Sequence, residues 1–196
     1  MNKILLINGH QYWESSPGKL NNTLVAEAIN IFNMANFETS VTSIEIGFDV
    51  KEEVEKYLWA DYILYFTPVF WFGIPSGFKA YIEKVFSAGK GKLFTDDGRS
   101  SGGKYGSGGL LFNKKYMLLT TWNAPSEAFN SHNQYLLENK SVDDIFLNFH
   151  SAQKFVGLEK MPSFSLHDVK KNPNIDTFIH RLNIHLIHNF KIDYKI

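Results

Sequence analysis

Short apolar runs recur along the chain at Lys3–Ile7 (KILLI), Tyr62–Phe66 (YILYF) and Tyr116–Thr121 (YMLLTT). Each has strand length and lacks the alternation of a half-exposed strand, so each reads as a strand covered on both faces. Between and after them, apolar residues return at helical spacing. Leu20, Leu24, Ala28 and Phe32 form one stripe, Phe78, Tyr81, Ile82 and Phe86 a second. Ile175, Phe178, Ile179, Leu182, Leu186 and Phe190 form a closing stripe over residues 174–190. Thr39–Ile46 is rich in β-branched residues, alternates in part and ends at Gly47, which predicts a second strand. Lys51–Trp59 predicts a short helix, residues 142–155 another, and Met161–Leu166 a last strand. Strand and helix thus alternate about five times, the pattern of a doubly wound, five-stranded parallel sheet with helices on both faces. All 196 residues read as one domain.

In such sheets ligands bind beyond the carboxyl ends of the strands, so the loops at those ends carry the candidate chemistry. After the first strand, a polar loop from His10 to Thr23 feeds a helix, and Ser16 before Pro17 reads as its N-cap with proline in the first turn. A strand, a small polar loop and a helix start can hold a phosphate. Ser15, Ser16, Asn21 and Thr23 offer hydrogen bonds and Lys19 a charge; an ordinary capped helix is the competing reading. Neither a Walker loop nor a Gly-x-Gly-x-x-Gly fingerprint is present. After the Tyr62–Phe66 strand comes Pro68-Val69-Phe70-Trp71-Phe72-Gly73-Ile74-Pro75. Its aromatic rings suit the face of a flat cofactor, or else pack on the sheet edge or a partner subunit. Trp122-Asn123-Ala124-Pro125 follows the Tyr116–Thr121 strand in the same way. Residues 87–113 form a long glycine-rich connection with Tyr105 as its one large ring near the middle, and Asp96-Asp97-Gly98 reads as a turn rather than a calcium loop. His180, His185 and His188 on the closing helix read as a solvated face, and no metal site is expected.

Composition narrows the chemistry. Twenty basic residues balance twenty acidic ones, against a nucleic-acid binder built on a basic field and against a strongly acidic electron carrier. With no cysteine there is no disulfide, thiol redox pair or thiolate metal site, so redox work requires a bound cofactor. Seventeen phenylalanines call for a large core or a stacking surface. The N-terminus enters a strand with no signal-peptide pattern and no apolar run is long enough to span a bilayer, which predicts a cytoplasmic protein.

The pattern Pro68-x-x-Trp71-Phe72-Gly73-x-Pro75-x-x-x-Lys79, followed by Tyr81–Phe86, closely resembles the flavin loop of the NAD(P)H:quinone reductases. Ile7-Asn8-Gly9, Gly18-Lys19-Leu20-Asn21 with Thr23, Leu58–Asp61, Asp97-Gly98-Arg99, Lys104-Tyr105-Gly106, Lys114–Leu118 and Thr121–Pro125 with Glu127-Ala128-Phe129 are similar to the branch of modulator of drug activity B. The likeness runs in order over nearly the whole chain. It implies a flavodoxin-like sheet, bound FAD, a homodimer, and two-electron reduction of quinones by NADPH through alternating half-reactions. By position, Ser16, Gly18, Lys19, Leu20, Asn21 and Thr23 would hold the FAD phosphates. Pro68, Val69, Phe70, Trp71 and Phe72, with Thr121, Trp122, Asn123 and Ala124, would line the isoalloxazine. Backbone N–H groups of these two loops would hold the flavin's polar edge, and Phe70, Trp71 and Trp122 would form an apolar slot for flat substrates. Tyr105 would lie near flavin and substrate, as the candidate catalytic residue that positions the quinone or gives it a proton. Val69 stands where the branch carries glycine, His10–Trp13 departs from its usual Ala-Lys sequence, and the connection before Tyr105 is shorter.

Two other readings use the same fold. One is an FMN-dependent reductase of azo or nitro compounds. The other is a non-catalytic electron carrier or regulatory subunit. Cofactor identity separates the first from the quinone reductase; failure to oxidise NADPH with any quinone, despite bound flavin, would mark the second.

Overall fold

The computed structural model describes residues 2–193. Its strands are β1 (Lys3–Asn8), β2 (Glu38–Ser43), β3 (Tyr62–Pro68), β4 (Lys115–Thr121), β5 (Glu159–Lys160) and β6 (Phe164–Leu166). Its α-helices are α1 (Lys19–Met34), α2 (Val50–Trp59), α3 (Ser76–Ala88), α4 (Val142–Ile145), α5 (Leu147–Phe155) and α6 (Ile175–Phe190). The strands form one parallel sheet in the order β2-β1-β3-β4-β5, with β6 also paired to β4. The predicted fifth strand is therefore two short pieces on one edge. The predicted helix over 142–155 is likewise two, meeting at Phe146.

Alternation along each central strand divides the core. Leu5, Ile7, Ile63, Tyr65, Tyr116 and Leu118 pack with Val54 and Tyr57 of α2, Phe78, Tyr81 and Val85 of α3, and Phe149 of α5. Ile4, Leu6, Leu64, Phe66, Met117 and Leu119 pack with Leu24, Ala28 and Phe32 of α1 and with Phe178, Leu182 and Leu186 of α6. Both faces being covered explains why the central strands read as unbroken apolar runs. The face under α2 and α3 is not purely apolar. The buried Glu53 carboxylate accepts from Thr42 and Tyr81 and pairs with Lys56, while the Tyr57 and Tyr65 hydroxyls bond each other and Tyr65 donates to Gln153. Burial pushes all three of these phenols well above the ordinary tyrosine range. No helix among the described residues is long and apolar enough to cross a membrane.

Candidate functional site

The loops after β1, β3, β4 and β6 meet at the carboxyl rim of the sheet and enclose two adjoining cavities. The first, of about 260 Å³, is lined by His10, residues 15–21, Pro68, Val69, Phe70, Thr121, Asn123, Val169 and Lys170. The second, of about 920 Å³, shares Ser15, Ser16, Val69, Phe70, Asn123 and Lys170 with it and adds Trp13, Trp71, Ile74, Ser76 and Lys79.

The first loop is shaped by Gly18, which is left-handed (φ 81°) and is the residue that caps α1. The expected Ser16 cap is not formed. Trp13 and Ser16 instead exchange backbone hydrogen bonds (2.8 and 3.3 Å), and the turn they close leaves Ser16 outside the helix. No side chain caps α1, so the N–H groups of its first turn have no helical acceptor and open toward an anion. A Cβ on Gly18 would come within 2.5 Å of the His10 ring, which lies directly beneath the turn. Asn21 is buried and donates to Asn8 Oδ1 and to the Phe66 carbonyl, while its own Oδ1, closed off from solvent, has no partner among the described residues. Lys19 and Leu20 also line this cavity; Thr23 does not, its hydroxyl donating back to the Lys19 carbonyl (3.0 Å).

In the second loop, Phe70 and Gly73 exchange backbone hydrogen bonds (2.9 and 3.1 Å) around Trp71 (φ 48°) and Phe72 (φ 63°). Two consecutive positive φ angles are the signature of a type I′ turn, which usually takes Asn or Gly. Two bulky aromatics there are strained, and the turn holds the Trp71 side chain 96% exposed, with Phe72 half-exposed beside it. Val69 N–H is committed to the Thr121 carbonyl (3.0 Å), which ties this loop to the next.

The pleat continues past β4 and sorts the third loop. Thr121 and Asn123 face the cavity; Trp122 and Ala124 face the core. Trp122 is 2% exposed, packs edge-on against Phe129 (4.9 Å) and Phe146 (5.8 Å), and donates its indole N–H to Thr120 (2.9 Å). Its backbone N–H is taken by the Leu166 carbonyl (2.8 Å). Trp122 thus neither walls an apolar slot nor offers a free N–H, contrary to expectation. Val69, Phe70 and Gly73 N–H groups are likewise committed within the protein. Behind this loop burial pushes the His167 imidazole below the ordinary histidine range.

Tyr105 is not brought to these loops within its own chain. It lines a separate hollow with Phe86, Phe94 and Phe155, its ring 6.2 Å from that of Phe155 and under the Arg99 guanidinium. Sequence reasoning missed Val169 and Lys170. They follow the last strand, and the same rule about carboxyl ends would have found them.

No Asp or Glu lines either rim cavity, whereas His10, Lys19, Lys79 and Lys170 do, in a chain of net charge +0. Among the described residues Lys19 and Lys170 make no ion pair, and the Lys79–Glu83 pair (2.6 Å) is exposed and therefore weak. The rim suits an anionic ligand with a flat, partly apolar body.

The sequence model of the family described as flavodoxin-like fold matches residues 2–185. An uncharacterized protein of Schizosaccharomyces pombe is 41% identical over 187 residues, 94% of this chain and 95% of its own length. NADPH:quinone oxidoreductase MdaB of Haemophilus influenzae is 39% identical over 186 residues, 93% of this chain and 96% of its own. Among solved structures, a Klebsiella pneumoniae protein assigned as a quinone reductase superposes with a TM-score of 0.78 at 22% identity, covering 95% of this chain and 84% of that one. General stress protein 14 of Treponema denticola, solved with FMN, reaches 0.69 at 14% identity over 98% of this chain and 100% of that one. The two structural likenesses speak for the fold; the sequence relatives and the family match, each spanning most of the chain, go further. The chain belongs to the flavodoxin-like fold family, in the branch of modulator of drug activity B.

Proposed function

We propose that this oxidoreductase is an NAD(P)H:quinone oxidoreductase whose cofactor is FAD, whose donor is NADPH, and which works as a homodimer. The observation that carries the reading is the rim cavity, lined by cations without a single carboxylate. A flavin fits that donor set. Its phosphates would meet Lys19 and the first-turn N–H groups of α1. The second cavity, with Lys170 shared between the two, offers room and charge for the second phosphate that distinguishes FAD from FMN. The 39% identity to an NADPH:quinone oxidoreductase supports the donor and acceptor.

Bound flavin supplies the two-electron chemistry that no side chain here can perform. The chain's own residues bind and orient. Val69, Phe70, Thr121 and Asn123 would line the flavin ring. Trp71, held out by its strained turn, walls the place a flat quinone would take. Tyr105 reaches that place only from a second subunit, since in its own chain it sits with Phe94 and Phe155. A two-fold partner would deliver it in both directions.

The test is the visible spectrum of the purified protein, followed by heat release and identification of the pigment. Two flavin bands with released FAD, and NADPH oxidation on adding a quinone, are the expected result. Released FMN with azo or nitro reduction supports the rival enzyme. Bound flavin with no NADPH oxidation supports the carrier.

A further inference from the structure

We infer that Glu45 is a positioning residue for the flavin-phosphate site, acting through His10 on the loop over residues 15–18. The inference rests on the reading above, that this loop holds a flavin phosphate. His10 follows β1 and is 1% exposed. Its Nε2 lies 2.8 Å from the Ser16 carbonyl oxygen and its Nδ1 3.0 Å from a Glu45 carboxylate oxygen. A carbonyl oxygen and a carboxylate can only accept, so the ring is held between two acceptors and its orientation is fixed by both.

The ring's position gives the pair its consequence. It fills the space under Gly18, where a Cβ would meet it at 2.5 Å, and its backbone N–H donates to Asn8 Oδ1 (3.2 Å). The same Asn8 oxygen accepts from Asn21, a residue of the cavity wall. His10 thus props the turn that sets the start of α1, beside the cavity that Lys19 and Lys170 also line. Glu45 does not line either cavity. It reaches His10 from the turn after β2 with a side chain 41% exposed. Its role is to hold the ring in the orientation that supports Ser16 and Gly18, so that both stay where the phosphate needs them.

The experiment titrates flavin-stripped protein with FAD, read by flavin fluorescence, for the parent, E45A and E45Q. E45A removes the acceptor and should bind FAD roughly tenfold more weakly, while the melting temperature of the flavin-free chain stays near the parent's. E45Q, which keeps an acceptor of the same reach, should recover most of the affinity. A parent-like affinity for E45A overturns the inference, as does a loss in E45A that E45Q does not restore or that tracks a lowered melting temperature. A parent chain that binds neither FAD nor FMN overturns the flavin reading, and this inference with it.

Discussion

At the scale of single residues, the site depends on backbone conformation as much as on side-chain chemistry. Trp71 shows this best. Its side chain is almost wholly in solvent and its φ is positive, so it adds little to the fold. Trp71→Ala should leave stability within about 0.5 kcal/mol of the parent but raise the KM for a flat quinone roughly tenfold, measured by steady-state kinetics beside a thermal melt. An equal fall in melting temperature would show that the ring packs on something in the fold. The sequence made this loop conspicuous through Phe70, Trp71 and Phe72, and its position after a buried strand was readable. The turn type was not, because nothing in Trp-Phe announces two left-handed residues where Asn-Gly is the usual signal. Trp122 misled for the complementary reason. An aromatic beside a strand end attracts a stacking role, but the period of two in the pleat sends residue 122 to the core and residues 121 and 123 to the rim.

At the scale of elements, the strands and long helices were legible because both sheet faces are covered and the apolar code is dense. What failed were boundaries fixed by polar contacts between distant segments. The last strand breaks between β5 and β6 around residues 161–163, and there Ser163 donates to Asp143 Oδ1 (2.6 Å). Lys160 pairs with the other oxygen of Asp143, His150 donates to Oδ1, and the Tyr116 hydroxyl donates to the remaining His150 nitrogen (2.8 Å). One carboxylate on the short α4 thus clips β4, α5 and the broken edge together. Partial burial pushes the Asp143 carboxyl upward, but the hydrogen bonds from His150, Lys160 and Ser163 outweigh it and hold it well below the ordinary carboxylate range. That stabilisation is present above the unfolded value of about 3.9 and is lost as pH falls through the lowered one. Asp143→Asn should cost about 1–2 kcal/mol at neutral pH, seen as a melting temperature lower by about 2–6 °C. The gap from the parent should close in strong acid; a constant gap would mean that shape rather than charge matters.

For the whole molecule, titration of two half-buried histidines sets the acid side of stability before any carboxylate does. Burial, as the largest cause, holds both His167 and His185 below the usual histidine range. Each therefore takes up a proton more readily when unfolded. Their contribution is complete above about pH 6.5 and is lost as pH falls below it. Melting temperatures should decline between about pH 6.5 and 5, and the double variant H167Q/H185Q should flatten that decline; an unchanged slope would assign it elsewhere. The sheet's two edges carry a different consequence. On one side the six-residue β2 carries Glu38, Thr39, Ser40 and Ser43, with Val41 as its one exposed apolar side chain, and on the other the boundary strand is split into pieces of two and three residues. Neither offers the long, flat, greasy border along which sheets of neighbouring molecules zip together. A chain this rich in phenylalanine can therefore be concentrated in its folded form without its sheets joining edge to edge into fibres.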